Sequence, residues 1–206
     1  MSLVVAIKKE GVVYMGSDSQ VTSGGSRSTL RNPNNYKIWK VIGVDNCLMG
    51  GVGRLRDACI IRTMDDLVTD FNVIKQQISF EFVVRKIVPD IIEKLREVHY
   101  IKEDGVFEYM DSSYLFAFKD QLFHIDADGT VIEIDDYVAI GSGKNEAIGS
   151  LLSTEEEPIK RIVKAIKASA ASDIYVDYPI ILSNTKETEF SIITEKGDIE
   201  TIKDQN

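Results

Sequence analysis

Ser2-Leu3-Val4-Val5-Ala6-Ile7-Lys8-Lys9-Glu10-Gly11-Val12-Val13-Tyr14-Met15-Gly16-Ser17-Asp18-Ser19-Gln20-Val21-Thr22-Ser23-Gly24 is the stretch that decides how this chain folds. Two short apolar runs, Leu3–Ile7 and Val12–Met15, flank a charged turn ending in Gly11, which reads as a β-hairpin. A hydroxyl residue, Ser2, opens the first strand. The second strand runs into Gly16-Ser17-Asp18, so the hairpin brings a carboxylate back towards Ser2. Methionine aminopeptidases generally remove Met before a residue as small as Ser. If Met1 is trimmed, Ser2 carries both a hydroxyl and a free amine, whose pKa of roughly 7.7–8.0 suits a base near neutral pH. Pairing a hydroxyl with an N-terminal amine is one way to activate a nucleophile. A Met-Ser opening by itself is common, so the functional reading depends on the residues that follow.

Composition narrows the classes. With 206 residues and 44% apolar content, the chain can bury a full core, and we expect one domain over 1–206. The net charge of −9 leaves no basic stripe for phosphates, which disfavours nucleic acid. The apolar runs fall short of the roughly 18 residues a membrane span needs. The N-terminal run alternates like a strand and precedes charges, so no signal peptide is expected and the location is expected to be cytoplasmic. Cys47 and Cys59 form no framework and are expected to be reduced. His99 and His124 stand in unrelated contexts, so no metal or other cofactor is expected.

Further along, Lys37–Ile42 and Cys47–Gly50 read as a second strand pair, with Ser23–Asn35 a loop before it. Ile60, Met64, Leu67 and Phe71 sit at helical spacing, as do Val84, Val88, Ile91, Leu95 and Val98, with Pro89 expected to kink or break the second helix. Strands return at Tyr114–Phe118, Leu122–Asp126, Val131–Ile134 and Tyr137–Ile140, with Asp128-Gly129 marking a turn. Helices follow near Asn145–Leu152 and Pro158–Ala171, the latter preceded by a capping-box pattern from Thr154 to Glu157. Pro179–Ser183 and Phe190–Thr194 close as strands, and the tail from Lys203 is expected to fray. Hairpin-linked strands with helices in pairs predict an α+β fold, two stacked antiparallel sheets between helical layers, αββα.

Taken together, these residues resemble a family. Ser2 to Gly24, above all Asp18-Ser19-Gln20-Val21-Thr22-Ser23-Gly24, is similar to the start of proteasome β subunits and HslV-type peptidases, which are N-terminal-nucleophile hydrolases with the αββα fold. Asn35-Tyr36-Lys37-Ile38 resembles the segment with the family's active-site lysine. Gly50-Gly51-Val52-Gly53 with Asp57, Ala139-Ile140-Gly141-Ser142-Gly143 and Ala171-Ser172-Asp173-Ile174 follow in the family's order.

The resemblance implies a catalytic set of Ser2, Asp18, Lys37, Gly53, Ser142 and Asp173. Ser2 would attack the scissile carbonyl and its freed amine would accept the proton. Lys37, charged beside that amine, would keep it unprotonated, and Asp18 would hold Lys37. The N–H of Gly53 would serve as an oxyanion donor; Ser142 and Asp173 would hydrogen-bond around the first residue. Each has an ordinary reading beside this one. Lys37 and Asp18 are residue types usually found on surfaces, Gly53 fits a turn, Ser142 fits a helix cap and Asp173 a helix end. Thr22, Gly51 and Leu55 match substrate-binding positions, in a groove where an extended peptide adds as a strand. The chain departs from the family in its Ser nucleophile, since these peptidases mostly use Thr. It also departs in Val176-Asp177-Tyr178-Pro179 after Asp173, and in Arg54 and Arg56, where the family is small and neutral.

The resemblance implies a peptidase acting on peptides or unfolded proteins, a homo-oligomeric ring and an ATPase unfoldase as partner. A catalytically silent ring component and an amidase or acyl transferase on a small substrate stay open beside it.

Overall fold

The computed structural model describes residues 2–65, 67, 78–98, 101–104 and 107–203. Its first strand, β1 (Leu3–Lys9), shows why the N-terminal run has no polar face. Alternate side chains enter different cores: Leu3, Val5 and Ile7 pack under helices, while Val4 and Ala6 pack between sheets. A strand covered on both faces reads as a continuous apolar run.

The remaining strands follow in chain order: β2 (Val12–Ser17), β3 (Gln20–Ser23), β4 (Ser26–Thr29), β5 (Ile38–Lys40), β6 (Cys47–Val52), β7 (Lys102–Asp104), β8 (Phe107–Tyr109), β9 (Ser113–Phe118), β10 (Gln121–Ile125), β11 (Val131–Glu133), β12 (Tyr137–Gly141), β13 (Ile180–Asn184), β14 (Glu189–Ile193) and β15 (Ile199–Lys203). The helices are α1 (Leu55–Ile61), α2 (Phe80–Phe82), α3 (Val88–Glu97), α4 (Lys144–Leu152) and α5 (Pro158–Ala170). One sheet has the order β12-β1-β2-β13-β14-β15 and the second β11-β10-β9-β6-β5. Every strand pairing is antiparallel. Met15, Ile38, Leu48, Leu115, Ile181 and Phe190 fill the space between the two sheets. Ala147, Leu151, Ile162 and Ile166 of α4 and α5 cover the first sheet; Ile61, Ile91 and Leu95 of α1 and α3 cover the second. This is the expected αββα arrangement. No helix among the described residues is long and apolar enough to cross a membrane.

α5 packs closely over Gly16 of the first sheet, where a Cβ would collide with Ile162 and lie 2.8 Å from Leu182 Cδ2. Gly16→Ala is therefore expected to destabilise the protein by about 1–3 kcal/mol through overpacking. Thermal unfolding checks this, and the same change in an Ile162→Ala background should cost markedly less.

Several expectations need correction. Ser26–Thr29 forms β4, paired with β3, and Pro33–Asn35 is a 3-10 turn, so the polar stretch 23–35 is half structured. The helix through Ile60 ends at Ile61: Thr63 and Met64 donate to carbonyls three residues back, tightening the last turn. Met64 and Leu67 are buried without being helical, and Phe71 lies outside the described residues. Pro89 does not break its helix. A π turn over Val83–Ile87 joins α2 to α3, with Val88 N–H donating to Val83 O, so the wider turn meets the proline without an ordinary ladder. Thr154 does not cap α5; its hydroxyl donates to Ser150 O at the end of α4 (2.9 Å), and Glu157 is the N-cap. Of the tail expected to fray, Lys203 belongs to β15, and residues 204–206 lie outside the described residues.

Candidate active site

The end of the hairpin works as read from the sequence. β1 and β2 pair with Val4 opposite Ser17, which turns Asp18 back onto the start of β1. Asp18 has no solvent exposure. Its Oδ1 accepts from Leu3 N–H (2.9 Å), and its Oδ2 from Gln20 N–H (3.0 Å). Lys37, one residue before β5, is 2% exposed and places Nζ 2.7 Å and 2.9 Å from the two Asp18 oxygens. Its third acceptor is Gln20 O at 2.5 Å. Three acceptors around one nitrogen match the three donors of an ammonium, so the pair is held charged. Burial pushes the Lys37 ammonium below its ordinary range, and the Asp18 carboxylate opposes that shift. The same desolvation pushes Asp18 upward against the ammonium and its two backbone donors.

Ser2 is 9% exposed and adjoins this pair through the Leu3 amide. A narrow cleft brings Ser2 together with Lys37, Gly51, Gly53 and Leu55. A larger cleft of about 380 Å³ also opens on Ser2, lined by Gly53, Arg54, Asp111, Gly141 and Ser142. Ser2 O accepts from Ser142 N–H at 2.8 Å, and Leu3 pairs with Gly141 of β12. Gly141 has φ +97, and a Cβ there would collide with Ser2 O, so glycine lets β12 close on the start of β1. Gly53, at φ +110 between β6 and the Arg54 N-cap of α1, is likewise restricted: a Cβ would lie 2.7 Å from Ser112 Cα.

Ser142 is not the cap of α4; Gly143 takes that place. The Ser142 hydroxyl donates instead to Asp173 Oδ2. Asp173 follows α5, and its Oδ1 accepts from Tyr175 N–H (2.8 Å). Ser142 therefore ties the turn after α5 to the backbone of Ser2. The departing segment after Asp173 is held by Ser19, whose hydroxyl donates to Pro179 O (2.6 Å). Thr22 lies on β3, where its hydroxyl accepts from Gln20 Nε2 (2.9 Å), and it is outside the residues lining either cleft.

Two further groups border the site. Gln20 donates to Asp18 and accepts from Lys37 through its backbone, while its side chain donates to Ile174 O (2.8 Å) beside Asp173. Behind the larger cleft, Ser112 Oγ accepts from Arg54 N–H (3.1 Å) and donates to buried Asp57 (2.7 Å). Burial pushes the Asp57 carboxyl up, opposed by that hydroxyl and by Arg54. The polar trio Asp111-Ser112-Ser113 ahead of an apolar strand was the available signal for this wall. Cys47 is buried, which pushes its thiol up and leaves it inert; Cys59 is half-buried, and neither forms a disulfide.

Comparison with known proteins agrees with this geometry. The family model described as "Proteasome subunit" matches residues 2–182. A protein named proteasome subunit beta from Nanoarchaeum equitans is 25% identical over 208 residues, covering 96% of this chain and 95% of its own. A protein named ATP-dependent protease subunit HslV from Caldicellulosiruptor saccharolyticus is 27% identical over 179 residues, covering 84% of this chain and 92% of its own. Among solved structures, Thiobacillus denitrificans BPH in complex with epoxomicin has a TM-score of 0.67 at 19% identity, covering 88% of this chain and 97% of that one. Eukaryotic HslV from Trypanosoma brucei has a TM-score of 0.64 at 18% identity, with 88% and 98% covered. With the family model matching residues 2–182 and the fold shared with these structures, the chain belongs to the proteasome subunit family, which has the N-terminal-nucleophile hydrolase fold.

Proposed function

We propose that this protein is a serine-type peptidase that hydrolyses peptide bonds through an acyl-enzyme on Ser2 once Met1 has been removed. The observation that carries this reading is the buried Lys37–Asp18 pair adjoining the first residues of β1, in a cleft shared with Ser2. A solvated surface has no need of an ammonium with three internal acceptors, whereas a nucleophile beside it gains a lowered pKa. In the proposed reaction the Ser2 amine takes the hydroxyl proton as Oγ attacks the substrate carbonyl. The amine then returns the proton to the leaving nitrogen, and water repeats the sequence on the ester. Lys37 keeps the amine unprotonated, and Asp18 fixes the Lys37 position. Gly53 N–H is assigned to the developing oxyanion, a role worth about 2.7–4 kcal/mol. Ser142 and Asp173 set the backbone of Ser2.

Among the described residues β3 is paired on one side only, and β6 runs past its last bond to the β5 side, Gly51 N–H to Lys37 O, at Val52, which supports an extended peptide as substrate. Leu55 and Ala58 give the narrow cleft an apolar wall. The names of the relatives, both subunits and one of an ATP-dependent protease, support a homo-oligomeric ring served by an ATPase. Intact-mass analysis of protein from its native host, with and without an epoxyketone probe, tests the reading. The expected masses are a chain lacking Met1 and a single covalent adduct. A retained Met1 with no adduct would instead support a silent ring component, and hydrolysis of small amides but no peptide would support amidase chemistry.

A further inference from the structure

The larger cleft beside Ser2 carries charge that the reaction does not use. Arg54 lines both clefts, and its guanidinium pairs with Asp111 Oδ2. Lys102 Nζ pairs with the other oxygen of Asp111 at 2.5 Å. Two cations therefore share one carboxylate. The Asp111 side chain is 20% exposed, while those of both cations are 43% exposed; Arg54 and Asp111 line the larger cleft, and Lys102 stands behind Asp111. Among the described residues Asp111 is the only partner of the Arg54 guanidinium, which leaves most of its five donors for a ligand. The other charges at this end are Asp126, which accepts from Ser113 Oγ (2.8 Å) and stands near Lys144 and His124, and Asp57, sealed behind Ser112. The Arg54–Lys102–Asp111 triad thus sets two positive charges against one negative, with the carboxyl of Asp57 behind Ser112 also within reach of both cations, on a chain whose total is −9.

The wall that carries it is rigid. Arg54 N–H is held by Ser112, Ser112 by Asp57, and Gly53 is pressed against the backbone of residues 111 and 112. We infer that Arg54, with Lys102 beside it on the shared Asp111, forms a subsite for an acidic side chain of an extended peptide, with Asp111 holding both cations in place until the carboxylate arrives. A carboxylate can take two parallel bonds from the planar guanidinium, which no hydroxyl or amide matches in strength. The cleft, about 380 Å³, admits such a side chain next to Ser2. This inference deepens the peptidase reading and rests on it for the direction in which the peptide lies.

The test separates binding from chemistry. Ser2→Ala protein is titrated by calorimetry with matched extended peptides whose residues flanking the cleavable bond are Glu, Gln or Lys. The Glu peptide should bind about three- to fivefold tighter than the Gln peptide, and the Lys peptide weakest, as half-exposed charge pairs allow. Arg54→Gln should remove that ratio, and Arg54→Glu should reverse the order. Asp111→Asn should raise the preference for Glu, because both cations lose their internal partner; circular dichroism confirms that each variant is folded. Equal affinities for the three peptides, or a preference that survives Arg54→Gln, would overturn the subsite. Failure of the Ser2 protein to cleave any of them would count against the peptidase reading and leave the binding result to decide the subsite.

Discussion

Asp18→Ala is expected to lower stability by about 3–5 kcal/mol, because it leaves a buried ammonium without its counter-charge. Asp18 accepts two backbone N–H groups and two bonds from Lys37, all away from solvent. Removing it orphans the Leu3 and Gln20 amides and leaves Nζ with Gln20 O as its one remaining acceptor among the described residues. For a chain of this size the loss corresponds to a fall in Tm of roughly 6–20 °C. Asp18→Asn should fall between, since one amide oxygen remains to accept. The double variant Asp18→Leu, Lys37→Met should recover part of the stability, as apolar replacements of buried pairs often do, with no activity restored. Calorimetric melting of the four proteins decides the matter. A Tm for Asp18→Ala within about 2 °C of the parent would show that the pair is solvated and the site reading mistaken.

How much of this was legible in the sequence depends on how local the signal is. The hairpin of β1 and β2 was readable because Leu3–Ile7 and Val12–Met15 are strongly apolar and separated by a turn ending in Gly11. The layers followed from paired helices between strands. Asp128-Gly129 was readable for the same local reason: Gly129, at φ +82, closes a turn in which Asp126 and Thr130 are hydrogen-bonded. What failed was set by partners distant in sequence. β15 hides in Ile199-Glu200-Thr201-Ile202-Lys203, because an edge strand needs only Ile202 inside, and that is visible only once β14 lies beside it. Met64 and Leu67 keep helical spacing yet bury from a loop, since burial satisfies them whatever the backbone does. In the site, the hairpin itself pointed Asp18 towards Ser2, whereas Lys37 was suggested by resemblance alone. Their spacing of nineteen residues has no periodic meaning, and only the fold brings them to one point. Asp111, which pairs with Arg54, and Lys102, which pairs with Asp111, had no counterpart pattern at all.

The other large effect separates catalysis from stability. Ser2 Oγ has no hydrogen-bond partner among the described residues, so Ser2→Ala should change Tm by no more than about 2 °C. Peptide turnover should nevertheless fall to background, because the acyl-enzyme then has no oxygen to form on. Lys37→Met makes the complementary case. Asp18 keeps its two backbone donors and can take up a proton, so folding should survive with a smaller loss than in Asp18→Ala. Activity at pH 7 should drop about 10²–10⁴-fold, the range general-base catalysis commands. The pH profile gives the sign. A cation beside the Ser2 amine disfavours its protonated form and holds its pKa down; without Lys37 that pKa rises, and the acidic limb of kcat/KM moves to higher pH. An uncharged lysine would leave the limb where it is. Measuring kcat/KM from pH 6 to 10 for both proteins therefore reads the charge of Lys37 directly, and an unshifted limb would remove it from the mechanism.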